Sequence, residues 1–300
     1  MARLFEVLES RRMLSAAAIK LSGGTLSVLG TNDQANVISV ALDTEDSSRV
    51  RVVVNGAAQT FAAAQVRSVR IVGGSRVVNE ILSSVAVTTS VVGGRLDDVI
   101  TVGDGKSNIK SGAGNDTVSA GNGRNVLDSG TGADVVRLGD GDNNIKLGSG
   151  DDNLIAGGGN NRVMAGTGND VVAVGSDTTT GRNTVKGGAG NDSIVGGGGL
   201  DRLIGDSGND TVRGGGGNDQ LNGSSGNDLV DGGTGSNSIV GTSGKDTLTA
   251  APRDRTERNA YRVNGSTKIE PAARSNVDSV KKAKNGGGDE FNVRKAIFGF

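Results

Sequence analysis

The chain has 300 residues, with 52 Gly, 2 Pro, five Phe, one Tyr, and no Cys, His or Trp. That composition excludes collagen, disulfide scaffolds, thiol catalysis, Ser-His-Asp hydrolysis and His- or Cys-ligated zinc. The formal net charge of −1 is unevenly spread: residues 1–92 hold 9 basic and 7 acidic side chains, 93–249 hold 12 and 20, and 250–300 hold 11 and 6. An acidic middle argues for cations as partners and against a nucleic-acid groove. No run approaches the roughly 18 apolar residues of a membrane-spanning helix.

Residues 1–19 read MARLFEVLESRRMLSAAAI, with Arg3, Arg11 and Arg12 ahead of a short Ala-rich stretch. Leu8, Glu9, Arg11, Met13, Leu14, Ser15 and Ala16 resemble an N-terminal export box of secreted bacterial repeat proteins. The resemblance implies a secreted or cell-surface protein of a bacterium. In 20–92, segments such as NVISVAL, RVRVVVNG and VRSVRIVGG alternate apolar and polar residues between Gly or Asn turns. They predict strands. Gly73-Gly74 followed by Asn79 looks like a decayed copy of the repeat that comes next. The region is expected to be an N-terminal β cap, since a solenoid needs atypical end units.

From Gly93 to Thr249 the chain is a nine-residue repeat in seventeen units, beginning GGRLDDVIT, VGDGKSNIK, SGAGNDTVS. Only the unit starting at Val174 breaks the length, with four extra residues, Asp177 to Thr180. The eighth position is Ile, Leu or Val in all seventeen units, and the fourth is Gly in sixteen. This pattern resembles the RTX (haemolysin-type) calcium-binding nonapeptide repeat, Gly-Gly-x-Gly-x-Asp-x-U-x with U apolar. The first position departs from it in the first ten units, where only Gly93 keeps the glycine. The resemblance implies a right-handed parallel β-roll. In it, six-residue loops alternate with three-residue strands, two units make a turn, and Ca²⁺ sits between stacked loops.

Split into alternate units, the sixth position carries two chemistries. Odd units give Asp98, Asp116, Asp134, Asp152, Asp170, Asp192, Asp210, Asp228 and Asp246. Even units give Ser107, Asn125, Asn143, Asn161, Asn183, Asp201, Asp219 and Asn237. Asp carboxylates stacked one strand spacing apart repel, by on the order of 1–3 kcal/mol per adjacent pair, and a cation between them reverses the sign. Ca²⁺ accepts six to eight oxygens in flexible geometry, whereas transition metals want the nitrogen or sulfur donors this chain lacks. Asn both donates and accepts, so the even edge can form a neutral ladder, while neighbouring Asp201 and Asp219 can share one further ion.

Other readings fit less well. The Gly-x-Gly strings are not followed by a helix, so they are no dinucleotide fingerprint. Asp140, Asp142 and Asn144 begin like an EF-hand, but Ile145 stands where its glycine belongs. An accessory or catalytic polysaccharide-modifying enzyme would have only Asp33, Asp43, Glu45, Asp46 and Glu80 to use in 20–92. An ice-binding roll would use rows of Thr and Asn. The run Asn169, Asn191, Asn209, Asn227 exists, but its Thr companion row does not. Residues 250–300 are basic, hold four of the six aromatics, and are expected to form a poorly ordered tail that caps the roll or signals secretion. The sequence thus predicts an all-β, non-enzymatic, calcium-stiffened roll, exported for a structural or adhesive role. Cell-surface or matrix polysaccharide is its candidate partner.

Overall fold

The computed structural model describes residues 18–175, 181–250, 260–263, 268–271 and 279–282. The export-like segment before Ala18, the four extra residues of the long repeat and most of the basic tail lie outside the described residues. One 3-10 turn at Ala63–Gln65 aside, every regular element among them is a strand. The chain divides into two units, 1–139 and 140–300.

The first unit opens with β1 (Ala18–Ser22), β2 (Thr25–Leu29), β3 (Asn36–Leu42), β4 (Arg49–Val54), β5 (Ala57–Ala62), β6 (Ser68–Val72), β7 (Asn79–Ser83) and β8 (Thr88–Gly94). Gly23 and Gly24, at φ of 57° and 84°, make the tight turn between β1 and β2. Asn55 and Gly56, at 49° and 84°, do the same between β4 and β5. Two consecutive positive φ values suit a two-residue hairpin, and Gly and Asn reach them most cheaply. These hairpins are antiparallel, as is β3 on β4. Parallel stacking begins inside the same region, with β6 on β2, β8 on β6 and β7 on β3. The repeats then continue it. Val99–Val102 pairs with β7 and Ser107–Ala113 with β8, and Thr117–Ala120 and Asn125–Thr131 stack on those.

In the second unit the odd repeats supply one parallel sheet, from Asn153–Ala156 through Val171–Val174 and Ser193–Gly199 to Thr247–Ala250. The even repeats supply the other: Asn144–Ser149, Arg162–Thr167, Thr184–Ala189, Arg202–Ser207, Gln220–Ser225 and Ser238–Val240. Register survives the long repeat, because Val163 still faces Val185 and Val172 still faces Ile194. Beyond Thr249 the ladders go on: Ala260–Val263 pairs with Ser238–Val240, and Lys268–Pro271 with Thr247–Ala250.

In each unit the core is a file of eighth-position side chains, Ile100 to Val136 in the first and Ile145 to Leu248 in the second, none more than 2% exposed. Most of the repeat strands are longer than three residues, because they run into the first position of the following repeat; Leu229–Asp231 and Ser238–Val240 stop short of it. Val102, Leu138, Leu147, Ala165 and Val174 are all buried there. On a strand, residues two apart share a face, so eighth and first positions both point inward. The missing first-position glycines of the early repeats are therefore core residues.

Candidate metal centre

The short loop before each strand places its sixth residue inside the stack. Every sixth-position Asp from Asp98 to Asp246 is buried, at 1–2% exposure. In the first unit, Asp98 N donates to Asp116 Oδ1 over 2.8 Å and Asp116 N to Asp134 Oδ1 over 2.7 Å. In the second, the same bond joins Asp152 to Asp170 at 2.9 Å, Asp170 to Asp192 at 2.9 Å, Asp192 to Asp210 at 2.8 Å and Asp210 to Asp228 at 2.9 Å. Asp228 N reaches Asp246 Oδ1 at 3.1 Å. The odd edge of each unit is thus a column of carboxylates, each capping a backbone N–H of the rung before it.

One oxygen of each carboxylate is spent this way. The other, Oδ2, is buried without a hydrogen bond in Asp170, Asp192, Asp201, Asp210, Asp219 and Asp228. A buried acceptor with no partner costs about 1–3 kcal/mol, and more when charged. Beside these oxygens lies the first-position glycine. A Cβ on Gly187 would sit 2.2 Å from Asp192 Oδ2 and 2.7 Å from the carbonyl oxygen of Gly205. On Gly205 it would meet Asp210 Oδ2 at 2.2 Å and the Gly223 carbonyl at 2.7 Å. Glycine is required there because a carboxylate oxygen and a main-chain oxygen of the next rung crowd the same point. The donor set is all oxygen, anionic and dry, which suits a hard cation that takes carbonyls as ligands. Among the described residues no three acidic side chains gather at one point. An ion on the odd edge thus has carboxylates from the column and backbone carbonyls on offer.

Burial pushes these acids up. Asp116, Asp170, Asp201 and Asp210 rise to about 6 and Asp219 to about 7, with desolvation the largest cause and neighbouring carboxylates adding at all but Asp201. Asp98, Asp192 and Asp228 are raised for the same first reason. Without a cation the column holds protons more tightly than free aspartate does.

The even edge of the second unit solves the same packing problem without charge. Asn143 Nδ2 donates to Asn161 Oδ1 at 2.8 Å, Asn161 Nδ2 to Asn183 Oδ1 at 3.0 Å, and Asn183 Nδ2 to Asp201 Oδ1 at 3.0 Å. Asn161 Nδ2 also reaches the Gly157 carbonyl. Asp201 and Asp219 interrupt the ladder, with Asp201 N on Asp219 Oδ1 at 2.9 Å. In the first unit, Ser107 Oγ donates to Asn125 Oδ1 at 2.6 Å.

Two residues outside the repeats belong to the odd column. Asn36 Nδ2 donates to Asn79 Oδ1, and Asn79 donates to Asp98 Oδ1 through both Nδ2 and N, all at 2.7–2.8 Å. The decayed Gly-Gly motif pointed to Asn79; Asn36 had no glycine pair to mark it. The fifth position carries a further ladder on the exposed side. Asn191 N donates to Asn169 Oδ1, Asn209 N to Asn191 Oδ1 and Asn227 N to Asn209 Oδ1 at 2.7–2.9 Å. Consecutive loop N–H groups therefore point to opposite neighbours, one rung back at the fifth position and one rung on at the sixth. The Asn row that suggested an ice surface is part of this backbone clamp.

A parallel solenoid of nine-residue units with carboxylates stacked in its loops is the class of protein that fold and site define. The family model for the RTX calcium-binding nonapeptide repeat matches at 92–127, 101–136, 119–154, 137–172, 177–212, 195–230 and 213–248. The chain belongs to that family, whose repeats bind calcium and fold as a β-roll. A search of curated proteins gives no match.

Proposed function

We propose that the protein is an exported, non-enzymatic spacer or adhesive module, stiffened by Ca²⁺ held along the odd edge. The ligands on this reading are Asp98, Asp116, Asp134, Asp152, Asp170, Asp192, Asp210, Asp228 and Asp246, with Asp201 and Asp219 forming a further site on the even edge. The supporting observation is the set of buried, unbonded Oδ2 atoms at regular intervals. Each needs a proton or a cation, and at neutral pH in a calcium-rich exterior the cation is the better partner. The ion would supply only charge neutralisation and cross-linking between rungs.

The surface role rests on the absence of His and Cys, on the regular stacked repeat and on the export-like segment of the sequence. Cell-surface or matrix polysaccharide is the partner this reading assigns. The test is a calcium titration followed by circular dichroism and native mass spectrometry. Chelated protein should lose β signal and regain it with millimolar Ca²⁺, with several ions retained in the mass spectrum. A full β signal in chelator with no bound ion would end the proposal.

A further inference from the structure

In the second unit the even-repeat sheet carries a charge pattern that the calcium ladder does not explain. Its outward side chains occupy the seventh and ninth positions of each repeat, with the ninth-position Ile204 buried. From Asn144 to Val240 those positions contain four cations, Lys146, Arg162, Lys186 and Arg202, and no carboxylate. All four cations are exposed. The described residues offer no ion-pair partner to Arg162, Lys186 or Arg202. The nearest acid along these strands, Asp206, sits at a second position, where the chain turns towards the next loop. Asp142, in the preceding loop, accepts from Asn160 N and Nδ2 at 2.8 and 3.0 Å.

The spacing is regular. Each of four successive strands contributes one cation, alternately from its ninth and seventh position. The register places Lys146 opposite Met164 and Met164 opposite Lys186, while Arg162 faces Thr184 and Thr184 faces Arg202. Along the stack one cation therefore arrives every strand spacing of about 4.8 Å, stepping from side to side by roughly 7 Å. Between them lies Met164, at 48% exposure, while the other apolar residues at these positions are the buried Ile204 and the half-buried Val240.

We infer that this sheet face is a docking surface for a linear acidic polysaccharide of the polyuronate type. Such a polymer carries one carboxylate per sugar ring, alternating from side to side of a stiff ribbon, and its ring faces are apolar enough to lie on Met164. The staggered cations complement it charge for charge. Nucleic acid suits the face poorly, because residues 93–249 contain no aromatic side chain on which a base can stack. The inference rests on the proposed surface role and places the binding site on the roll.

The test uses the full chain with calcium present and short oligogalacturonates that do not gel. Calcium-dependent folding and ion count are measured first, so a failure of the calcium reading shows there and not in binding. Wild type should bind the oligogalacturonate with a salt-dependent Kd and ignore neutral dextran. The triple variant R162Q/K186Q/R202Q should keep its β signal and ion count and bind about tenfold more weakly, whereas R213Q, on the opposite sheet, should bind as wild type does. If the triple variant misfolds, R162Q and K186Q singly give the same reading at smaller size. Undiminished binding by these variants would place the site elsewhere and overturn the inference. Equally tight, equally sensitive binding of duplex DNA or anionic vesicles would also overturn it.

Discussion

Asn183 Nδ2 donates to Asp201 Oδ1 across 3.0 Å, and at that bond the even edge changes from amide to carboxylate. Below it, Asn161 and Asn183 each accept from one neighbour in the column and donate to the next. Above it, Asp201 and Asp219 leave one oxygen each buried and unbonded. Two rungs of one solenoid thus show both ways of closing a loop: a neutral ladder that is complete in itself, and an anionic pair that needs something added.

That contrast separates the edges by mutation. Asp210→Asn on the odd edge replaces a carboxylate, a calcium ligand on the proposed reading, with an amide that can donate to the next rung. It should lower the calcium count and flatten the cooperativity of the titration. Asn161→Ala on the even edge should leave the count unchanged and destabilise the folded state by about 1–3 kcal/mol, through lost hydrogen bonds and the polar atoms left unpaired around it. Native mass spectrometry with denaturant melts reads both. Equal ion loss in the two variants would show that the edges are not distinct.

The first-position glycines give a second contrast. Gly205 has no strained φ, yet a Cβ there would lie 2.2 Å from Asp210 Oδ2. By contrast Gly216, at a third position, has nothing nearer than the Thr234 hydroxyl at 3.5 Å. Gly205→Ala should therefore cost about 1–3 kcal/mol and weaken calcium binding, because the carboxylate must shift. Gly216→Ala should change neither by much. Calcium-dependent melting curves of the two variants check this, and matching curves would remove the steric explanation for the glycine.

Much of this was legible in the sequence because the repeat fixes both period and chemistry. The eighth-position aliphatics gave the core, and the odd–even split of the sixth position gave the two edges. The inward first position was less visible, since Leu147 or Ala165 reads as a lost glycine until Ile145–Leu147 and Val163–Ala165 are seen as strand neighbours two apart. The fifth-position Asn row was visible but ambiguous. Exposed amides in file look like a binding surface, and only the backbone N–H of the next rung shows that their oxygens are already used. β5 escaped notice because AAQTFA has no apolar alternation, and its burial pattern is exposed almost throughout. It is held by backbone pairing with β4.

Acid should act in opposite senses on the two forms of the protein. In chelator, burial holds the carboxyl groups of Asp201 and Asp219 near 6 and 7, above the ordinary aspartate value of 3.8. A folded-state pKa raised above the unfolded one contributes stability that is complete below the unfolded value and is lost as pH rises through the folded one. The chelated protein should thus be most stable near pH 4 and weaken steadily towards pH 7, with Asp116, Asp170 and Asp210 adding to the fall around pH 6. If calcium is held by the same oxygens, as proposed, protons compete with it, and stability should instead drop as pH falls below about 6. Denaturant melts from pH 4 to 8, with and without millimolar Ca²⁺, should give curves of opposite slope that diverge as pH rises. Parallel curves would show that the buried carboxylates and the ion do not share the same oxygens.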